Sequence, residues 1–283
     1  CSLSEWTWDS IWPAPAKLNL FLHVVGRRPD GYHLLQTVFR FIGRYDQLRF
    51  APRGDGEIVL ATPIPGVEPD TDLTVRAARM LQQATACTQG ATIHLDKHLP
   101  MGGGLGGGSS DAATVLLALN HLWRTGLGRP ELEKLGLSLG ADVPVFVHGQ
   151  NTCAEGVGEH FTDVTLPVCH YLVLHPPVHV PSAVIFGAPE LVRNTPPIHA
   201  LDWHHGIGHN DLEAVACKNF PEVADHLAML RKSSPRAMMT GSGACVFAGF
   251  AAQDEAEQAL AALPDGVEAW IAKGLDEHPL ARL

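Results

Sequence analysis

Between Ala16 and Val24 apolar and polar positions alternate, so Leu18, Leu20, Leu22 and Val24 share one face of an extended segment while Lys17, Asn19, Phe21 and His23 share the other. A strand is predicted on which Lys17 and Asn19 project together. A lysine there either reaches water at a sheet edge or turns into a site, and the segment alone leaves both open. A second period-two stretch, Thr92 to Leu99, puts Ile93, Leu95 and Leu99 on one side. Beyond it the period changes to that of a helix: Ala112, Val115, Leu116, Leu119, Leu122 and Trp123 form one stripe, and Ser109, Ser110 and Asp111 read as its capping residues. Glu131 to Leu139 predicts a short helix broken by Gly140, after which Asp142 precedes a proline, Pro144, suited to a first helical turn. Asp142 is an N-cap on this reading, and a capping aspartate can also face a pocket. Met239 to Gly243 is a glycine turn entering an apolar strand at Cys245-Val246-Phe247, and Asn210-Asp211-Leu212-Glu213 opens a helix in a structural role.

The connection between the second strand and the long helix is the most informative segment. It reads P-M-G-G-G-L-G-G-G-S-S-D from Pro100 to Asp111, with six glycines among the seven residues from Gly102 to Gly108. Such a run suits a backbone that takes positive φ or approaches a ligand closely. Strand, glycine loop and helix in that order aim free N–H groups and a helix dipole at an anion, most often phosphate. No lysine follows the glycines, so this is not the P-loop. Gly102, Gly104 and Gly107 fit the dinucleotide fingerprint only nominally, because its acidic partner about 20 residues on is missing and Glu131 lies in a separate polar segment. A flexible surface turn is the plainer alternative, which the flanking strand and helix disfavour.

Composition narrows the class. The 283 residues are 46% hydrophobic, enough for one large or two ordinary cores. No run approaches 18 consecutive apolar residues, and Glu5 and Asp9 without a basic leader do not resemble a signal peptide, so a cytoplasmic protein without membrane association is expected. A net charge of −10 argues against a nucleic-acid surface, while a small anionic substrate stays compatible through a local lysine and a helix N-terminus. Cysteines at 1, 87, 153, 169, 217 and 245 have no C-x-x-C spacing and are expected as free thiols. Among sixteen histidines, His204, His205 and His209 cluster, but no cysteine or carboxylate lies at a recognised ligand spacing and a polar loop is expected, not a metal site. Ala51 to Pro69 and His175 to Pro197, rich in proline and glycine, read as connections.

Taken together, Pro15-Ala16-Lys17-Leu18-Asn19-Leu20, Pro100 to Ala113, and Thr240-Gly241-Ser242-Gly243-Ala244 resemble the three motifs of the GHMP kinases in the family's order. Asp30-Gly31-Tyr32-His33, Gly140 to Phe146 and Glu155-Gly156-Val157-Gly158-Glu159 add a likeness to the branch whose acceptor is a methylerythritol joined to cytidine diphosphate, on the non-mevalonate isoprenoid route. The resemblance implies an α+β fold of two domains, here divided as residues 1–155 and 156–283, containing a left-handed β-α-β unit. ATP would be bound mainly by the first domain, and the acceptor in the cleft between the two.

The resemblance also implies roles. Asp142 would be the catalytic carboxylate that accepts or orients the proton of the attacking hydroxyl, at the 2-position of the acceptor. Lys17 would keep Asp142 ionised and lower the hydroxyl's pKa. Pro100, Met101, Gly102, Gly103, Gly104, Leu105, Gly106, Gly107, Gly108, Ser109 and Ser110 would hold the triphosphate, with magnesium brought as the ATP complex and no resident metal site. Asn19 would orient the methylerythritol end, Tyr32 and Phe186 would sandwich the cytosine, His33 would bond its edge, and Val157 would line the same site. Core packing is the competing reading of Phe186, which ends the apolar run Val184-Ile185-Phe186.

The chain departs from the pattern at two places. Asp72-Leu73 stands where relatives commonly have asparagine and leucine in the adenine pocket, with Lys97 a further possible adenine neighbour, and Ala183 stands in place of an expected proline. A carboxylate cannot donate as an amide does. The expected partner is a small molecule, and a monomer or weak homodimer is expected. The competing functions are a homoserine or sugar kinase of the same superfamily, a related decarboxylase, which Asp30 to His33 speaks against, and a non-catalytic ligand sensor, which would be expected to have lost Lys17 or Asp142.

Overall fold

The structure, a computed structural model, describes residues 5–283. Cys1 lies outside the described residues. In chain order the strands and helices are β1 (Trp12–Arg27), β2 (His33–Arg53), β3 (Ile58–Leu60), α1 (Leu73–Thr85), β4 (Gly90–Asp96), α2 (Gly107–Leu122), α3 (Arg129–Leu139), α4 (Val143–His148), β5 (Thr152–Gly156), β6 (His160–Asp163), β7 (His170–Leu174), α5 (Ser182–Phe186), α6 (Glu213–Asn219), α7 (Pro221–Arg231), β8 (Met238–Met239), β9 (Val246–Phe250), α8 (Gln253–Ala261) and β10 (Ala269–Lys273).

Two sheets organise the chain, giving the expected α+β architecture. In the first, β2 pairs along one edge with β1, and along the other with β5 through Leu35–Phe39 and with β4 through Gln47–Arg53. β3 adds in parallel to β4, and β6 antiparallel to β5. The second sheet runs β10-β7-β9-β8, all antiparallel. The division expected at 155/156 falls at the end of β5, and the first sheet continues through β6 to Asp163. The C-terminal residues return to the first sheet, where Leu275 N–H donates to Phe41 and Asn151 Nδ2 to the Leu275 carbonyl.

β1 is buried on both faces from Ala14 to Val24. Its residues enter three cores: Trp12 and Ala14 join the helices of the first half, Leu22 and Val24 join the second sheet and its helices, and Ala16, Leu18, Leu20 and Phe21 fill the space between the sheets with Tyr171, Phe247 and Trp270. The alternation seen in the sequence separated two buried faces, so the lysine has no sheet edge from which to reach water. The register of β1 against β2 shifts between Asn19 and Leu22, and there Leu22 bridges to Asn210 of the second half.

Three local expectations are corrected. Ser109, Ser110 and Asp111 lie inside α2, whose N-cap is Gly106 with φ 71° and no side-chain bond; the helical bonds begin there, with Ser110 N–H donating to the Gly106 carbonyl at 2.8 Å. α2 has no single stripe, because Ser110 through Leu119 are all buried, as befits a central helix packed by α1, α3, α4 and β1. β3 and α5 form inside the two segments read as connections.

Candidate active site

The glycine loop is folded against motif residues from both halves of the chain. Lys17 N–H donates to the Leu105 carbonyl at 2.9 Å, and Cys245 N–H to that of Gly103 at 3.1 Å. Gly104 holds φ +80°, and a Cβ there would overlap the Thr240 carbonyl oxygen. Gly106 holds φ +71°, and its Cβ would stand 2.9 Å from Phe146 Cζ and 3.1 Å from Lys17 Cγ. Positive φ and close approach together exclude side chains at both positions. Asn210 fixes the opposing turn, its Nδ2 donating to the carbonyls of Met239 and Gly241 at 2.8 Å each.

Lys17 is 2% exposed. Its Nζ donates to Asn19 Oδ1 and lies 4.0 Å from Asp142 Oδ2 and 5.5 Å from the centre of the Phe39 ring. Burial pulls its pKa below the ordinary value and Asp142 pulls it partly back. Asp142 is the N-cap residue of α4 but makes no capping hydrogen bond, and its side chain is 41% exposed. The expected cap is therefore absent, and the carboxylate is available to a ligand. Asn19 donates through Nδ2 to Thr37 Oγ1 at 2.9 Å, and its backbone N–H donates to Thr240 Oγ1 at 3.0 Å. One N–H of its amide remains unassigned.

A cavity of about 1060 Å³ joins these groups. Its walls include Lys17, Asn19, Ser109 and Asp142, and also Tyr32, His33, Val157 and Phe186. Tyr32 stands at the rim, 67% exposed, with the Arg28 guanidinium 5.7 Å from its ring centre. The rings of His33 and Phe186 lie 4.9 Å apart and tilted by 48°. Phe186 is only partly buried and so is not a plain core residue.

The structure does not bring every expected nucleotide residue to that cavity. Of the run Pro100 to Ser110, only Ser109 lines it. Leu105 and Ser110 are fully buried, while Met101, Gly102 and Gly108 face solvent. Asp72 is the N-cap of α1, its Oδ1 accepting from Thr74 N–H at 2.8 Å. Leu73 and Lys97 flank the start of α2: a Cβ at Gly108 would lie 3.6 Å from Leu73 Cδ1, and one at Gly107 would lie 3.1 Å from Lys97 Nζ. Lys97 is pinned at 2.7 Å to Asp46 and at 3.1 Å to Asp111. Burial opposes its charge, yet Asp111 and Asp46 outweigh burial and raise its pKa. Burial raises that of Asp111 well above the usual range, with Lys97 opposing. Ser110 Oγ and Asp111 Oδ1 are buried without a hydrogen-bond partner among the described residues.

Sequence reasoning missed three residues that shape the site. Asp46 accepts from the backbone of His98 at 2.7 Å and Leu99 at 2.8 Å as well as from Lys97, which fixes the strand end that leads into the loop. In the sequence Asp46 stands among Arg44, Gln47 and Arg49, so nothing there signals its complete burial. Thr37 is a polar position of β2 indistinguishable in sequence from its neighbours. Arg193, in a segment read as connection, donates to His33 and to the Phe186 carbonyl. Among the described residues no group of three or more His, Cys, Asp or Glu is arranged to hold a metal ion, and cysteines 87, 153, 169, 217 and 245 are free thiols. No helix among them is long and apolar enough to cross a membrane.

Comparison with known proteins shows the family. Residues 72–150 match the GHMP kinases N terminal domain, and residues 198–269 match GHMP kinases C terminal. The chain is 75% identical over 273 residues to a 4-diphosphocytidyl-2-C-methyl-D-erythritol kinase of Dechloromonas aromatica (strain RCB), covering 96% of this chain and 100% of that protein. A protein of the same name from Thiobacillus denitrificans (strain ATCC 25259 / T1) is 60% identical, with 96% and 98% covered. A crystal structure of 4-(cytidine 5'-diphospho)-2C-methyl-D-erythritol kinase superposes with a TM-score of 0.81 at 33% identity, covering 94% of this chain and 99% of the other. The Methanococcus jannaschii mevalonate kinase, at 16% identity and a TM-score of 0.70 with 94% and 98% covered, shares the fold. The chain belongs to the GHMP kinases, in the family of the 4-diphosphocytidyl-2-C-methyl-D-erythritol kinases.

Proposed function

We propose that this protein transfers the γ-phosphoryl group of ATP to a hydroxyl of 4-diphosphocytidyl-2-C-methyl-D-erythritol. The observation that carries the reading is one continuous cavity lined both by Asp142, Lys17 and Ser109 and by Tyr32, His33 and Phe186. A long acceptor with a reactive alcohol and a remote aromatic base suits such a cavity.

Phosphoryl transfer asks a protein mainly for positioning and charge stabilisation. Asp142 accepts the proton of the attacking hydroxyl, or steers it, from a carboxylate unencumbered by a cap. Lys17, 4.0 Å away, favours the ionised form of Asp142 and of the incoming oxygen. Asn19 positions the polyol through its remaining N–H. The magnesium complex of ATP supplies the phosphoryl group and neutralises its charge when bound. The loop fits such an anion: it opens the 16-residue helix α2, whose N-terminal N–H groups and dipole favour negative charge. The unpartnered Ser110 Oγ is a hard oxygen suited to a phosphate-bound magnesium. Leu73 and Lys97 flank the nucleotide side. Asp72 caps α1 through Oδ1 and, as a carboxylate, cannot donate to adenine as an amide would.

The test is incubation with ATP, magnesium and 4-diphosphocytidyl-2-C-methyl-D-erythritol, with ADP and product mass as readouts. A product heavier by one phosphoryl group, with homoserine, mevalonate and galactose untouched, is expected. Transfer to one of those three instead would overturn the acceptor assignment and leave the loop argument intact.

A further inference from the structure

Arg193 stands beside His33 and Phe186 of the cavity wall and engages all three nitrogens of its guanidinium. Its Nε donates to His33 Nε2 at 3.0 Å, Nη2 donates to the carbonyls of Phe186 at 2.8 Å and Ala188 at 3.0 Å, and Nη1 to that of Leu191 at 3.2 Å. One side chain thus ties together the two residues whose rings stand 4.9 Å apart on the cavity wall. The bond to His33 also has an electronic consequence. A guanidinium has no lone pair to offer and stays protonated, so the imidazole nitrogen facing it must be an acceptor. In a neutral imidazole the proton then belongs to the other nitrogen. His33 is kept neutral by its burial and by the nearby Arg193 and Arg27, which lower its pKa.

We propose that Arg193 is a positioning residue for base selection: by donating to His33 Nε2 it fixes the Nδ1–H tautomer, so that His33 offers the base a donor and favours cytosine over uracil. Cytosine presents an unprotonated N3 to that donor. Uracil presents N3–H, and two donors face each other. Without Arg193, His33 can take the other tautomer and accept from uracil. The inference rests on reading the acceptor as a cytidine diphosphate compound, and it assigns the choice of base to a residue that does not touch it.

Three measurements on the full chain decide it. Long-range ¹H–¹⁵N correlation of histidine-labelled protein, with His33 assigned by its absence in His33→Gln, is expected to show protonated Nδ1 and unprotonated Nε2 in the wild type, and mixed tautomers in Arg193→Gln. Calorimetric titration with CDP and UDP is expected to show a preference for CDP that falls about tenfold or more in Arg193→Gln, the size of effect that one mispaired buried donor exerts. Arg193→Lys, whose ammonium can still donate to Nε2, is expected to keep the wild-type tautomer and most of the preference.

A wild-type His33 protonated at Nε2 overturns the proposal whatever the variants do, as does an unchanged CDP preference in a folded Arg193→Gln. If the Gln variant does not fold, the wild-type tautomer and the Lys variant decide. Neither the titration nor the spectrum requires turnover. A wild type with the expected tautomer and CDP preference that transfers no phosphoryl group refutes the proposed reaction and leaves this inference standing.

Discussion

The backbone N–H of Lys17 donates to the carbonyl of Leu105 at 2.9 Å, joining the strand that carries the buried lysine to the middle of the glycine loop. Main chain holds main chain here, so the distance from the loop to the lysine does not depend on the lysine's side chain. The side-chain chemistry of the site can therefore be altered without dismantling the cradle.

Asp142→Asn tests the carboxylate. The residue makes no capping bond and is 41% exposed, so the variant is expected to fold normally and to bind ATP within a few fold. Turnover is expected to fall by about 100-fold or more, the lower range of general-base effects. Near-normal turnover in steady-state assays would remove Asp142 from the mechanism.

The state of Lys17 sets an alkaline limit. Burial lowers its pKa from 10.5 and Asp142 restores only part of the loss. The ammonium is the active form, so turnover is expected to decline as pH rises, with a midpoint below 10.5. Lys17→Arg, slower overall, should lack this limb because a guanidinium stays charged. The pH dependence of kcat checks both statements, and the same limb in the arginine variant would assign it to another group.

Gly104→Ala and Gly108→Ala should separate sharply. A methyl at Gly104, φ +80°, overlaps the Thr240 carbonyl oxygen, whereas one at Gly108 makes ordinary contact with Leu73 Cδ1 at 3.6 Å. The first is expected to cost about 1–3 kcal/mol or more and to weaken ATP binding. The second should leave the stability of the fold nearly unchanged. Thermal melts with and without ATP measure the difference, and equal effects would contradict the packing described.

Asp46→Ala removes the acceptor of the His98 and Leu99 backbone groups and one of two carboxylates beside Lys97. Leaving buried donors and an ammonium underpaired is expected to cost about 3 kcal/mol or more. Denaturant unfolding should register this as a lower midpoint at unchanged slope. Because Asp46 anchors the chain just before the loop, ATP affinity should fall as well.

His278 is expected to make the fold acid-sensitive. Burial, with Arg129 nearby, lowers its pKa from 6.5 to about 3, while its Nδ1 accepts from Leu280 N–H at 2.9 Å. The folded state binds this proton less readily than the unfolded state. The stabilisation is full above pH 6.5 and is lost progressively as pH falls toward 3, at a slope of up to about 1.4 kcal/mol per pH unit. His278→Asn should flatten that part of the stability curve, and an unchanged curve would mean another group titrates.

Much of the candidate site was legible because it is local. The loop's glycines, the strand before it, the helix after it and the placement of Asp142 ahead of Pro144 each depend on residues within a few positions. Periodicity reads such spans well. It failed where distant partners intervened: the helix start moved to Gly107 once the loop had packed on Thr240 and Phe146, and Asp142 gave up its cap while Asp72 took one.

By itself the sequence determined which chemistry is available, a phosphate cradle with a lysine and an aspartate in a fixed order, because backbone preference and residue type are properties of short segments. Only the tertiary structure decided the condition of those groups. Lys17 lost its water because both faces of β1 are covered, Lys97 was committed to Asp46 and Asp111, and Arg193 came from 160 residues away to fix the proton of His33. Desolvation, ion pairing and tautomer choice depend on what surrounds a group in space, and that is set only when distant segments meet.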